Sequence, residues 1–259
     1  MLSYQHHYHA GNPADVHKHA LLAFILDYLI QKDKPLTYIE THAGRGLYDL
    51  GSDEALKTGE AAQGIARLEQ GIAPDHPYRQ RLNEVRFKYG PEAYPGSPLI
   101  AAMTLREEDT VFLAELHPGE NDILTEHLTP WGVHIRREDG LKMAQGIAPP
   151  TPRRGMMLID PSYEVKAEYE SIPKAIEAMA RKWNVGIIAL WYPILQGQAH
   201  TDMLDHLARA FPESLRHEVR FAPVRDGHRM SGSGMFIINA PYGTEAEAKR
   251  LTKLFNSRG

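Results

Sequence analysis

The chain has 259 residues, no cysteine, 42% hydrophobic and 24% charged residues, a globular composition that excludes a disordered, collagen-like or disulfide-stapled protein. The length suits one large α/β domain with an insertion as well as two separate domains. With 29 Lys plus Arg against 33 Asp plus Glu the formal charge is -4, so a nucleic-acid partner has to be held by a local basic surface and not by the field of the whole molecule.

The N-terminus, Met1-Leu2-Ser3-Tyr4, lacks the charged head and apolar run of a signal peptide. No apolar stretch approaches the ~20 residues of a membrane span, and a cytoplasmic protein is expected. The cluster His6, His7, His9, His17 and His19 with Asp15 has metal-ligand chemistry. It reads better as ordinary histidines with some site-lining members among Tyr4, His6, Lys18 and His19, and no metal is expected. Leu21, Leu22, Ile25, Leu26, Leu29 and Ile30 recur at helical spacing, predicting a helix over roughly 13 to 31 that starts at Asn12-Pro13.

Leu36 to Glu40 then reads as a strand leading into the glycine loop His42-Ala43-Gly44-Arg45-Gly46. That loop fits neither the dinucleotide fingerprint nor a P-loop. Similar apolar strands are predicted at 111 to 115, 156 to 160, 185 to 191 and 235 to 239, with weaker ones at 132 to 136 and 215 to 222. Helical patterns fall near 97 to 106, 119 to 128, 169 to 183 and 199 to 210. Seven strands alternating with helices predict a doubly wound, Rossmann-like sheet, whose ligands sit beyond the strands' carboxyl ends.

One spacing is abnormal. The acidic ribose partner ordinarily lies ~20 residues after the glycine loop, yet Glu115 lies about 70 residues beyond Gly44. Residues 47 to 96 are therefore read as an inserted helical subdomain within a single domain spanning 1 to 259, anchored by Leu68, Leu82, Val85 and Phe87. Within it, residues 78 to 89 carry Arg79, Arg81, Arg86 and Lys88 among aromatics, either a phosphate-tracking surface or a solvated helix face. Arg136-Arg137 and Arg153-Arg154 add smaller basic spots, and the glycine-rich run 225 to 234 reads as a substrate loop.

Asp160-Pro161-Ser162-Tyr163 ends an apolar strand. Its carboxylate and the Pro161 carbonyl can each accept one hydrogen of an aromatic amine such as that of adenine, with Tyr163 stacking on the base. A strand-end turn with a capping Asp and a core Tyr is the plainer reading of the tetrapeptide alone. Glu115 and Asp139 also end predicted strands, where ribose hydroxyls and an adenine amine need acceptors.

Taken in order, Met1 to Tyr4 with His6, His9 to Asn12, Asp15, Lys18-His19, Thr41 to Gly44, Tyr94 to Pro98, Glu115 to Pro118, Asp139-Gly140, Asp160-Pro161, Leu190 to Pro193 and Ser233 to Met235 closely resemble the bacterial ribosomal RNA large subunit methyltransferase J family, the 23S ribosomal RNA adenine-N6 methyltransferases. The resemblance implies a class I S-adenosylmethionine-dependent methyltransferase fold with a helical insertion after the first strand, RNA as partner, and a monomer. It implies cofactor contacts at His19, His42, Gly44, Ser97, Glu115, Asp139 and Gly140, catalysis at Asp160, Pro161 and Tyr163, and a substrate side lined by Tyr4, His6 and Lys18. The family usually reads Asp-Pro-Pro-Tyr, whereas Ser162 stands third here, which frees one backbone angle. Two other readings stay open: methylation of adenine in DNA, and a catalytically weakened nucleic-acid-binding protein linked to the use of external DNA.

Overall fold

A computed structural model describes residues 5–195, 200–222 and 230–258. A short 3-10 turn, His6–Tyr8, precedes helix α1 (Pro13–Ile30), and strand β1 (Thr37–Glu40) follows. The segment after β1 contains β2 (Leu47–Asp49), three short helices α2 (Asp53–Thr58), α3 (Glu60–Gln63) and α4 (Ile65–Leu68), the longer α5 (Pro77–Tyr89), and β3 (Ala93–Pro95). The chain then alternates α6 (Ser97–Thr104), β4 (Thr110–Ala114), α7 (Pro118–Leu128), β5 (His134–Arg136), α8 (Gly140–Ile147) and β6 (Gly155–Ile159). It ends with α9 (Glu168–Lys182), β7 (Ile187–Leu195), α10 (Thr201–Ala210), β8 (Leu215–Arg220), β9 (Met230–Ile238) and α11 (Thr244–Arg258).

Among the described residues the main sheet has seven strands in the order β5-β4-β1-β6-β7-β9-β8, parallel except that β9 runs antiparallel to both neighbours. This is the doubly wound, Rossmann-like arrangement expected of class I methyltransferases. The chain leaves β1 toward β4 and β5 and returns to β6 on the other side, so the topological switch lies between β1 and β6, where such sheets bind ligands. Alternation along each strand divides the core in two. Tyr38, Leu113, Leu158 and Ala189 face α1, α5, α6 and α11, whereas Ile39, Ala114, Ile159 and Leu190 face α8, α9 and α10.

Asn12 caps α1, its side chain accepting the Asp15 amide at 2.9 Å, and Pro13 occupies the first turn, where no amide hydrogen is required. The helix packs on the sheet and also touches α4, α5, α6 and α11. It is buried almost all round, His17, Lys18 and His19 included. Buried polar groups need partners, and those partners organise the cavity described below.

Several boundaries differ from expectation. β9 begins at Met230, so the end of the glycine-rich run is strand, while residues 225 to 229 lie outside the described residues. Helix α8 lies where the sequence predicts none, because Gly140 and Gly146 weaken its propensity. Helix α11 did leave a signal, with Ala248, Leu251, Leu254 and Phe255 buried at helical spacing. Within 47 to 96, Leu68, Leu82 and Val85 are buried in the same cluster as α1, but Phe87 is 96% exposed and anchors nothing. Its place on α5 is two positions past Val85, which turns it to the opposite face. Among the described residues no helix is long and apolar enough to cross a membrane.

Candidate active site

A cavity of about 530 Å³ opens beyond the carboxyl ends of β1, β4 and β6 and is closed on one side by the N-terminal turn and α1. Of the residues singled out in the sequence, His6, Lys18, His19, His42, Gly44, Ser97, Glu115, Asp139, Gly140, Asp160, Pro161 and Tyr163 all line it. Tyr4 lies outside the described residues.

The loop after β1 needs its glycines. Gly44 has φ +61°, the left-handed region, and a Cβ there would lie 2.5 Å from the Tyr48 hydroxyl. Its amide donates to Glu115 Oε2 at 2.9 Å, and the His117 amide donates to Glu115 Oε1 at 2.7 Å, so Glu115 ties the first loop to the end of β4. Burial raises the Glu115 carboxyl above its ordinary range despite those two donors. Asp139 caps α8 through the Lys142 amide at 3.1 Å and still lines the cavity. A Cβ on Gly140 would sit 1.8 Å from the Thr41 carbonyl oxygen, so only glycine lets α8 start this close to β1.

Lys18 carries the densest electrostatics. Its Nζ donates to Asp160 Oδ2 at 2.5 Å and lies 3.1 Å from Asp15 Oδ1. Burial would lower this ammonium, but the Asp160 and Asp15 carboxylates outweigh it and raise the pKa. Asp15 also takes His6 Nε2 at 2.8 Å and the Gly11 amide at 2.9 Å, with His19 Nε2 3.8 Å away. Burial opposes the charge on Asp15, yet His6, Lys18 and His19 hold its carboxyl well below the usual range.

Other predicted residues that line the cavity also make hydrogen bonds with their neighbours. His19 Nδ1 meets the Tyr94 hydroxyl at 3.0 Å, and burial lowers its pKa to about 3, so the ring is neutral. The Ser97 hydroxyl donates to Glu40 Oε1 at 2.5 Å, and the Tyr38 hydroxyl to Glu40 Oε2 at 2.9 Å. Burial raises Glu40 to about 8 against these two donors. His42 Nδ1 meets the Thr41 hydroxyl at 2.7 Å, and burial lowers the ring's pKa.

Tyr163 has φ +54°, and its ring is buried in the core cluster beneath α9 and α10. There it stacks on Tyr169 with centroids 4.6 Å apart, and its hydroxyl donates to the Trp191 carbonyl at 3.0 Å. The five N-terminal histidines disperse: His7 accepts from Arg45 at 2.8 Å, His9 pairs with Glu60 at 3.0 Å, and His17 turns to Ser233 and His217. Among the described residues no group of three or more His, Asp or Glu side chains is placed to hold a metal.

Sequence reasoning overlooked Glu40, Asp15 as a hub, and Trp191. Glu40 ends β1, and the strand-end rule that selected Glu115 would have found it. Trp191 stands just past the last residue of β7 that pairs with β6, Leu190, and so at the rim. Asp15 left no sequence signal for this role beyond its place among the histidines and in the family resemblance.

Together these groups can hold a nucleoside-sized ligand on the Glu115 and Asp139 side and present a carboxylate and the Pro161 carbonyl to a second group. A family model described as RsmJ, ribosomal RNA large subunit methyltransferase D, RlmJ, matches residues 33–258. The ribosomal RNA large subunit methyltransferase J of Escherichia coli (strain K12) is 38% identical over 263 residues, covering 100% of this chain and 94% of that protein. Its namesake in Haemophilus influenzae is 39% identical over 257 residues, covering 97% and 92%. The crystal structure of protein LPL1258 from Legionella pneumophila, of the family DUF519, superposes with a TM-score of 0.86 at 34% identity, covering 96% of this chain and 94% of that one.

Proposed function

The chain belongs to the ribosomal RNA large subunit methyltransferase J family, and from this we propose that it transfers a methyl group from S-adenosylmethionine to the exocyclic N6 amine of an adenine in 23S ribosomal RNA. The observation that carries the reading is the placement of Asp160 and Pro161 at the end of β6, in one cavity with Glu115 and Asp139 at the ends of neighbouring segments.

The residues fit the cofactor. Glu115 and Asp139 each keep acceptor capacity beyond the backbone amides they bind, enough for ribose hydroxyls and an adenine amine. Leu116, 47% exposed, and Leu141 supply apolar walls for a flat ring. The glycines at 44 and 140 let the backbone approach closely. When bound, the cofactor supplies an electrophilic methyl on a sulfonium centre.

The adenine amine is a poor nucleophile because its lone pair is delocalised into the ring. Hydrogen bonds from the amine to Asp160 and to the Pro161 carbonyl favour a pyramidal nitrogen and free that lone pair, and Asp160 takes the displaced proton. Pro161 contributes an acceptor without a competing amide hydrogen. Lys18 holds Oδ2 of Asp160, so the amine is received on Oδ1. Asp15, 3.1 Å from the same ammonium, gives Lys18 a second partner when the substrate draws on Asp160. Holding both reactants in line supplies much of the remaining acceleration.

Mass spectrometry of 23S ribosomal RNA from cells with and without the gene tests the reading, together with labelled methyl transfer by the purified chain to unmodified RNA and to DNA of the same sequence. Loss of one N6-methyladenine in the deletion strain and labelling of the RNA are expected. Labelling of the DNA alone would favour the DNA enzyme, and cofactor binding without transfer would favour the non-catalytic reading.

A further inference from the structure

A chain of polar side chains leads from the cavity wall to the C-terminal helix, and the proposed chemistry does not use it. The Trp191 indole N–H donates to Ser233 Oγ at 3.0 Å, and Ser233 Oγ lies 2.8 Å from His17 Nδ1. His17 Nε2 lies 2.9 Å from His217 Nδ1, and His217 Nε2 lies 2.9 Å from the Thr252 hydroxyl, which reaches the Ala248 carbonyl at 3.2 Å. Ser233 and His17 are fully buried and His217 nearly so.

With both imidazoles neutral, only one proton arrangement uses every contact. An indole can only donate, so Ser233 accepts from Trp191 and gives its own hydrogen to His17 Nδ1. His17 Nε2–H then donates to His217 Nδ1, His217 Nε2–H to Thr252, and Thr252 to the Ala248 carbonyl. Run the other way, the fully buried Ser233 hydroxyl would use its oxygen twice and leave its hydrogen unplaced. Both imidazoles are neutral in the first arrangement, in keeping with the burial that lowers the pKa of each. A fully connected buried network of this kind is rigid. With its hydrogen committed to His17, the serine holds its lone pairs in one direction, toward the indole.

What this rigidity serves lies at the open end. Trp191 is half-buried and lines the cavity; Lys18 Nζ, the group bonded to Asp160, lies over one part of its ring at 5.8 Å from the centroid, and Tyr163 meets it at a tilt with centroids 6.3 Å apart. An aromatic amine received by Asp160 therefore brings its ring beside this indole. Tyr163 is less suited to stacking: Tyr169 covers one of its faces, its hydroxyl is held by the Trp191 carbonyl, and it is only 9% exposed. We propose that Trp191 provides the stacking surface for the substrate base, and that Ser233 and His17 are positioning residues that fix the tilt of its ring. The proposal rests on the functional reading above.

Steady-state kinetics on unmodified 23S ribosomal RNA, calorimetry with S-adenosylmethionine, and indole fluorescence during titration with adenosine test it. Trp191→Leu should raise the KM for RNA roughly ten- to a hundredfold, the range for losing one aromatic stack, with cofactor affinity within about twofold and Trp191→Phe recovering most of the loss. Ser233→Ala should raise the same KM severalfold in the unaltered chain and leave it unchanged in the Trp191→Phe background, because a phenyl ring has no N–H to orient. Any loss of folding stability from Ser233→Ala would occur in both backgrounds, so this difference isolates positioning even where Trp191→Leu fails to fold. Adenosine should quench the emission of the unaltered chain and not of Trp191→Phe. An unchanged KM in a folded Trp191→Leu, an equal Ser233→Ala effect in both backgrounds, or equal quenching would each overturn the proposal. Failure of the unaltered chain to bind cofactor or label RNA would instead overturn the functional reading, since the adenosine titration needs no turnover.

Discussion

Asp160 meets a buried ammonium on one oxygen and the cavity on its other side, so its charge is built to receive a proton donor. Asp160→Asn keeps the shape and removes the base. It should lower the turnover number by roughly a hundredfold or more while leaving cofactor affinity within a few fold, and near-normal transfer of labelled methyl would remove the assigned role. Glu115→Ala should weaken cofactor binding by roughly 1 to 3 kcal/mol, part of it from releasing the Gly44 and His117 amides; calorimetry giving an unchanged Kd would take Glu115 out of the site. Glu40 predicts a pH effect. Its carboxyl is raised by burial to about 8 from 4.5, so between those values the folded chain keeps a proton that the unfolded chain releases. The stability that this group contributes is therefore present in full below about 4.5 and is lost as pH rises through about 8. Glu40→Gln cannot ionise, and its stability relative to the unaltered chain should improve between pH 5 and pH 8 by on the order of a few kcal/mol. Parallel denaturation curves at the two pH values would contradict this.

The basic residues of helix α5 are largely engaged within their own chain. Arg79 and Arg86 both pair with Glu69, Arg79 also donates to the Glu69 carbonyl, and Arg81 donates to the Met103 carbonyl at 2.8 Å. Lys88 lies over Trp131 and Tyr89. These guanidiniums fasten the helix to its neighbours, and charge that neutralises internal carboxylates displaces few counterions from RNA. Arg79→Ala with Arg86→Ala should therefore lower stability by roughly 1 to 2 kcal/mol by leaving Glu69 unpaired, with the salt dependence of RNA binding little altered. A flattened salt slope in that variant would restore the helix as a phosphate-binding surface.

Across the molecule, residues inserted after β1 share a core with α1 and the sheet: Ile65, Leu68, Tyr78, Leu82 and Val85 belong to the same cluster as Leu22, Tyr38 and Leu113. We propose that the segment 47 to 96 folds with the sheet as one cooperative unit despite its helical character. Leu82→Ala should then destabilise the whole chain by roughly 2 to 5 kcal/mol, and calorimetry should show a single transition shifted down. Two resolved transitions, only one of them moved, would make the insertion an independent unit.

By itself the sequence determined the elements and the rim. Helix α1 and the seven strands follow from apolar periodicity, and the cavity-lining residues at 42 to 44, 115, 139 and 160 follow from a local rule, that ligands meet strand ends. Both signals are short-range, so they can be read along the chain. Tertiary structure alone decided which polar groups satisfy one another. Lys18 finds Asp160 at 142 residues' separation and His17 finds His217 at 200, while Tyr163 turns inward onto Tyr169 and Lys18 comes to lie over the Trp191 ring. Burial makes such pairings obligatory without naming the partner, because desolvation acts on whatever the fold brings together.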